Sequence, residues 1–222
     1  MKKESAPDHP KCHAELEETR ILTNHEVTER QKLIGMLQWI QSSLRLDICL
    51  AVSSLVRCQC GPREGHLAVV TKIFAHLKKY PERGTEQTRM SEMKAVKPDF
   101  GNQCCEFNEE MDDEFPEPLM DEIGMTIIVD SNHGHGKATG KSTTCLTSLL
   151  GSKPVSCCTK WQSSFLTSTF GAEFVSLKNV VEEAVILRCF YRSFGMKVTK
   201  PTTTHEENVL VAVNCTNPGS TL

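Results

Sequence analysis

Three strand-like segments in the second half of the chain most constrain what it can fold into. Met125–Val129, Thr143–Leu150 and Val155–Thr159 are rich in apolar and β-branched residues. Glycine-containing stretches separate them, and Gly151 to Pro154 has the composition of a tight turn. The pattern predicts three consecutive strands joined by hairpins.

A long helical pattern follows these strands. It is capped by Ser168 or Thr169, ends at Gly195, and carries apolar residues at spacings of three and four. Pro201–His205 predicts a fourth strand, and Val209–Asn214 begins a further helix. The order β-β-β-α-β-α predicts an α/β fold over residues 123–222, with helices packed on a mixed sheet.

A smaller helical unit is predicted before these strands, over residues 23–81. Thr23 and Glu26 have the spacing of a capping box, and the apolar residues that follow predict a helix over 24–42. A second helix ends at Gly61, and a third stops before Pro81. The sequence therefore predicts three helices with apolar stripes.

Two stretches lack periodicity and are predicted to be extended or linking segments. Residues 1–22 are polar and contain proline, and residues 82–122 combine proline, glycine and acids. Ten acidic residues and no Lys or Arg fall between Asp99 and Glu122. We interpret 1–22 as a lead-in and 82–122 as an acidic linker between two folded units.

The net charge of −3 argues by itself against a nucleic-acid-binding protein. Its distribution matters more, because without the ten linker acids the remaining chain has 18 acids against 25 basic residues. No segment approaches the roughly 20 apolar residues that a membrane helix needs, and no apolar signal core follows Met1. We expect an intracellular protein, cytoplasmic or nuclear, without a membrane partner.

The eleven cysteines are predicted to be free thiols. Their number is odd, two pairs are adjacent in sequence, and no secretory signal accompanies them. Cys58 and Cys60 with His66 could be zinc ligands, but no second pair at zinc-finger spacing completes four positions.

Two carboxylates stand where a metal-dependent nuclease would need them. Asp130 follows the apolar run of the first strand, and Glu173 lies near the start of the long helix. Carboxylate oxygens are the ligands that Mg²⁺ prefers, and a fold can bring these two positions together from distant sequence. Taken singly, each residue also has an ordinary explanation, as a turn residue or as a favourable charge at a helix N-terminus.

Many short motifs occur in a specific order along two parts of the chain. In residues 31–79 they are Gly35, Leu37, Arg45-Leu46-Asp47-Ile48, Ala51-Val52, Leu55, Arg57, Pro62, His66 and Leu77-Lys78. In residues 127–218 they are Asp130 with His133, Ser142-Thr143, Leu150-Gly151, Pro154-Val155-Ser156, Lys160, Gln162, Ser168-Thr169, Ala172-Glu173-Phe174, Glu182 or Glu183, Asn208 and Asn217-Pro218. In this order and spacing the chain resembles the Pol polyprotein of copia-type retrotransposons.

The resemblance implies that residues 23–81 are the helical tail of a reverse transcriptase and that residues 123–222 are a ribonuclease H-like domain. Such a domain hydrolyses the RNA strand of RNA–DNA hybrids with two Mg²⁺ ions. By motif, Asp130, Glu173 and Glu207 are implied as catalytic residues and metal ligands. Four polar residues are implied as nucleic-acid contacts: Lys160, Gln162, Ser168 and Asn208. The implied partners are an RNA–DNA hybrid and the remainder of the Pol polyprotein.

The chain departs from the family at several positions. Leu46 stands where the family usually has proline, and Glu207 stands where the family has aspartate before Asn208. The fourth carboxylate of the family would lie beyond Leu222, so we expect the domain to be truncated at its C-terminus. The polymerase catalytic acids would lie before residue 1. Two alternatives therefore stay open: a decayed, inactive remnant that at most binds nucleic acid or a partner, and an unrelated two-domain interaction protein.

Overall fold

A computed structural model describes residues 16–42, 45–84, 115–119 and 122–216. The chain divides into two compact units, the first built from the helices up to residue 84 together with residues 134–141, the second from the remaining described residues. Most of the predicted lead-in and most of the predicted acidic linker lie outside the described residues, so their extended character stays a prediction.

The first unit contains three helices: α1 (Asn24–Ser42), α2 (Cys49–Val56) and α3 (Glu64–Lys79). The capping box at the start of α1 is confirmed, because the Thr23 backbone N–H donates to Glu26 Oε2 over 2.8 Å and the Glu26 N–H donates to Thr23 Oγ1 over 3.5 Å. Helix α1 has the predicted limits. Seven buried apolar residues form the core between the helices: Ile34, Leu37, Ile48, Val52, Leu55, Val70 and Ile73.

Asp47 joins the short turn before α2 to α3. Its Oδ1 and Oδ2 accept hydrogen bonds from Arg45 Nε (2.9 Å) and Nη2 (2.8 Å), and Oδ2 lies 3.0 Å from His76 Nε2. Burial acts to raise the pKa of Asp47, but the contacts with Arg45 and His76 outweigh it and leave this pKa below its usual value. The bidentate ion pair fixes the turn geometry that places Ile48 in the core.

The second unit is built on a four-stranded sheet. Its strands are β1 (Met125–Asn132), β2 (Thr143–Leu150), β3 (Lys153–Trp161) and β4 (Thr203–His205), in the order β3-β2-β1-β4. The first three pair antiparallel, whereas β4 pairs parallel with β1. The predicted mixed sheet with packed helices, and with it the α/β class, is thus confirmed.

Helix α4 (Thr169–Ser193) covers one face of this sheet, and α5 (Val209–Thr216) follows β4. Side chains alternate along β1, so Met125, Ile127 and Val129 share the face toward α4. They form the core with six further residues: Ile123, Leu146, Leu150, Val180, Tyr191 and Val198. Burying Ile127 and Val129 against α4 fixes which residues of β1 face the helix.

The glycine predicted to end α4 does so. Gly195 has φ +72°, in the left-handed region, and its N–H donates to Arg192 O over 2.9 Å. A Cβ at this position would lie 2.9 Å from Leu119 Cγ, so a side chain would meet both backbone strain and a steric clash.

The limits of three strands differ from the sequence prediction. β1 runs to Asn132 rather than to Val129, because the residues from Asp130 onward pair with Cys145, Thr144 and Thr143 of β2. β3 begins at Lys153 and includes Pro154, which an edge strand tolerates beside the bulge at Ser148 and Leu149. β4 spans only 203–205.

Large apolar side chains are exposed on the outer surface of α4 and α5. They are Val181, Val185, Ile186 and Phe190 on α4, Phe194 just after it, and Val209, Leu210 and Val213 on α5. Even so, none of the helices in the described ranges has the length and apolar content required to cross a membrane.

Candidate acidic site

The second unit brings several acidic residues together at one end of the sheet. Val129 is buried under α4, and Ser131, two positions further along β1, lies next to Glu173 of that helix. Strand alternation therefore directs Asp130, which is exposed, toward the opposite face of the sheet. The negative charge of Asp130 nevertheless acts on Glu173, so the two predicted ligands belong to the same neighbourhood.

A second glutamate, Glu206, contacts Glu173 from the segment that follows β4. Glu206 is half-buried, and its Oε1 accepts a hydrogen bond from the Asn208 backbone N–H over 3.3 Å. Glu207, the residue predicted from sequence, is exposed and acts on Glu173 through its charge. The cluster thus draws on β1, the start of α4 and the β4–α5 connection.

The electrostatics of this cluster disfavour the simultaneous ionisation of Glu173 and Glu206. Burial raises the pKa of Glu173; contacts with Ser131 and Glu206 offset part of this, and the charges of Asp130 and Glu207 add to it. Burial and the charges of Glu173 and Asp130 raise the pKa of Glu206 to about 7, although the Asn208 N–H favours its ionised form. Near neutral pH the pair therefore carries charge at an energetic cost.

Three oxygen atoms in the cluster are buried and make no hydrogen bond of good geometry: Ser131 Oγ, Glu173 Oε2 and Glu206 Oε2. Buried oxygens of this kind are costly when they stay unpaired, and a hard cation such as Mg²⁺ takes oxygen ligands. The donor set therefore fits one Mg²⁺ ion. In the described ranges no group of three or more His, Cys, Asp or Glu side chains is arranged to hold a metal, so the fit rests on two carboxylates and a hydroxyl.

The side chains of Ser168 and Asn208, two of the four predicted nucleic-acid contacts, cap helices. Ser168 Oγ accepts a hydrogen bond from the Gly171 N–H over 3.1 Å at the start of α4. Asn208 Oδ1 accepts from the Leu210 and Val211 N–H groups over 3.1 and 3.3 Å at the start of α5. Lys160 is exposed on β3 and is a cation that phosphate can reach.

Gln162, the fourth predicted contact, lies inside the protein with 2% of its surface exposed. Its Nε2 donates to Ala172 O (2.7 Å), to Thr144 Oγ1 (3.1 Å) and to Ser176 Oγ (3.1 Å). Thr144 and Ser176 also hydrogen-bond to each other over 2.7 Å. This buried network connects the sheet to the turn of α4 that carries Glu173. Gln162 therefore helps to fix the position of the Glu173 carboxylate.

Sequence reasoning did not single out Ser131 and Glu206. Ser131 has the same strand parity as Ile127 and Val129, so the alternation of β1 could have placed it on the α4 side. Glu206 stands beside Glu207 in the sequence, and residue type alone does not separate two consecutive glutamates. The residue that turns inward depends on where the short β4 ends.

We expect the metal-free chain to lose stability as pH rises from about 4.5 to about 7. In this window the folded state holds a proton on Glu206 that the unfolded state has released, so the free energy of unfolding falls with pH. Because Glu206 is partly exposed, we expect its share to be only about 1 kcal/mol. Urea unfolding in a chelating buffer at several pH values measures this slope.

Glu206→Gln should flatten that slope, whereas Glu207→Gln is the matched control, because Glu207 is exposed. The same pH dependence in the wild type and in Glu206→Gln would show that Glu206 is not buried against Glu173 in solution.

Comparison of the chain with protein-family models, curated proteins and solved structures finds no match. The resemblance to copia-type Pol polyproteins is thus carried by the motifs of the sequence.

Proposed function

We propose that the chain is a fragment of a retrotransposon Pol polyprotein and that its second unit is a ribonuclease H-like domain. That domain would hydrolyse the RNA strand of RNA–DNA hybrids with Mg²⁺. The observation that carries this proposal is the group of buried, unpartnered oxygens on Ser131, Glu173 and Glu206. Their elements are distant in sequence, and a hard cation would satisfy them.

The fold supports the same proposal. The resemblance implies a central first strand crossed by a long helix, and β1 lies between β2 and β4 with α4 packed on it. Carboxylates stand on β1, on α4 and directly after β4, which are the elements that the motifs assign to metal ligands. The first unit, with α1 to α3, would be the tail of the reverse transcriptase, and the remainder of the polyprotein its partner.

Different residues of the second unit would have different roles in such a site. Glu173 and Glu206 would hold Mg²⁺, while Asp130 and Glu207 add negative charge beside them. When bound, Mg²⁺ supplies an activated water and stabilises the leaving oxygen. The exposed Lys160 would contact the phosphate backbone, and Gln162 would keep the turn that carries Glu173 against the sheet.

The test is cleavage of a hybrid whose RNA strand is labelled, measured as Mg²⁺ is titrated. We expect slow cleavage that requires Mg²⁺, spares duplex DNA and is lost in Glu173→Gln. Glu64→Gln is the control, because it neutralises an exposed acid of the first unit. Cleavage that persists in Glu173→Gln, or that proceeds in a chelating buffer, would contradict the proposal.

A second candidate function is an inactive module that binds hybrids without cutting them. It is favoured because no group of three or more His, Cys, Asp or Glu side chains in the described ranges is arranged to hold a metal, and because glutamate stands in place of the family's aspartate at position 207. Fluorescence anisotropy with the same hybrid separates the two functions. Binding without Mg²⁺-dependent cleavage selects the module, and equal affinity for hybrid and duplex DNA argues against both.

A further inference from the structure

Two cysteines lie on the sheet face that α4 does not cover. Cys145 of β2 pairs with Thr159, and Cys157 of β3 pairs with Thr147, so the two cysteines are diagonal neighbours on adjacent strands. Cys145 is also the partner of the exposed Asp130 on β1. Leu146 and Cys158, the next residues along each strand, pack instead into the core on the α4 side.

Both thiols are held in place by the threonines opposite them. Thr159 Oγ1 donates to Cys145 Sγ over 3.8 Å, and Thr147 Oγ1 donates to Cys157 Sγ over 3.6 Å. Cys157 also lies within interaction range of the Cys145 thiol. Neither cysteine is in a disulfide and both are only partly buried, so small oxidants can reach them.

We propose that Cys145 and Cys157 form a modification site that a peroxide closes into a reversible disulfide. The thiolate of one cysteine attacks the O–O bond of hydrogen peroxide, becomes a sulfenic acid and releases one water after proton transfer. The second thiol then attacks the sulfenic sulfur, and the S–O bond breaks to release another water. In total the two thiols lose two electrons, and one hydrogen peroxide molecule gains them to become two water molecules.

The strand geometry makes this disulfide easy to reduce again. Diagonal positions on neighbouring strands are about 7–8 Å apart between Cα atoms, at or beyond the upper end of the range that a relaxed disulfide spans. Closing the bond therefore pulls β2 and β3 together locally, and the stored strain favours reduction by thiols. The proposal does not depend on the metal site.

The test treats the reduced full chain with hydrogen peroxide, blocks the remaining thiols and maps the links by tandem mass spectrometry, whose fragment ions distinguish Cys157 from the adjacent Cys158. Chymotryptic cleavage after Leu149 or Leu150 separates Cys145 from Cys157. We expect a Cys145–Cys157 link in the wild type that dithiothreitol removes. The same link should persist in Cys158→Ser and be lost in Cys145→Ser and Cys157→Ser.

Cys158→Ser is the matched control, because Cys158 is adjacent in sequence but faces the core. A Cys157–Cys158 or Cys145–Cys158 link in the wild type would overturn the proposal. So would full alkylation of both Cys145 and Cys157 after peroxide treatment. Since the wild-type map decides the outcome, a variant that fails to fold does not weaken the test.

Discussion

Replacing Gln162 by leucine should lower the free energy of unfolding of the second unit by about 2–4 kcal/mol. The leucine cannot donate to Ala172 O, Thr144 Oγ1 or Ser176 Oγ, and these acceptors stay buried. The cost is high because these buried acceptors would lose their hydrogen-bond partner and water cannot reach them to replace it. The start of α4 should then separate from the sheet.

Urea unfolding followed by Trp161 fluorescence in a Trp39→Phe background reports on the second unit, because the only other tryptophan lies in α1. Gln38→Leu makes the same chemical change at an exposed position of α1 and should change stability little. If Gln162→Leu unfolds like the wild type but binds hybrids less tightly, Gln162 contacts nucleic acid, as the motif implied.

Glu206→Gln should slow the proposed Mg²⁺-dependent hybrid cleavage by about a hundredfold, since a misplaced or missing ligand near the reacting groups costs on that order. Glu206 contacts Glu173, and its Oε2 is one of the unpartnered oxygens. Glu207→Gln should have a smaller effect, because Glu207 is exposed and acts through charge alone. Initial cleavage rates at saturating Mg²⁺ compare the two variants directly.

Glu207→Asp makes this comparison more specific, because aspartate stands at that position in the family that the chain resembles. The extra methylene of glutamate moves its oxygens by roughly 1.5 Å. If Glu207→Asp cleaves faster than the wild type and Glu206→Gln cleaves at the wild-type rate, the third ligand is the residue at position 207, as predicted from sequence.

Local signals explain why the element order was predictable. Three such signals are the capping box at Thr23 and Glu26, the serine cap at 168 and the glycine at 195. Each acts on residues only a few positions away in the chain. Such signals are readable from sequence because their partners are nearby in the chain. Helices α1 and α4 accordingly have limits at or close to the predicted ones.

The roles of polar residues in the site depended on long-range contacts and were harder to predict. Gln162 belongs to a conspicuous motif, but only the packing of α4 on β2 shows that its side chain is buried. Asp130 was expected at a strand end, whereas cross-strand pairing extends β1 past it and strand parity then fixes the face it occupies. Glu206 was indistinguishable from Glu207 until the end of β4 was known.

The parallel pairing of β4 with β1 also bears on the order of folding. β1 and β2 are joined by ten residues and β2 and β3 by two, so these strands can pair with their neighbours along the chain. Thr203, however, can meet Thr126 only after α4 has carried the chain back across the sheet. Closing so long a loop is entropically costly, and the pairing of only three β4 residues offsets this cost. We therefore expect Glu206 to reach Glu173 in a late step, after the hairpins and α4 have formed, and a ligand that bridges the two would act mainly by slowing the reverse of that step.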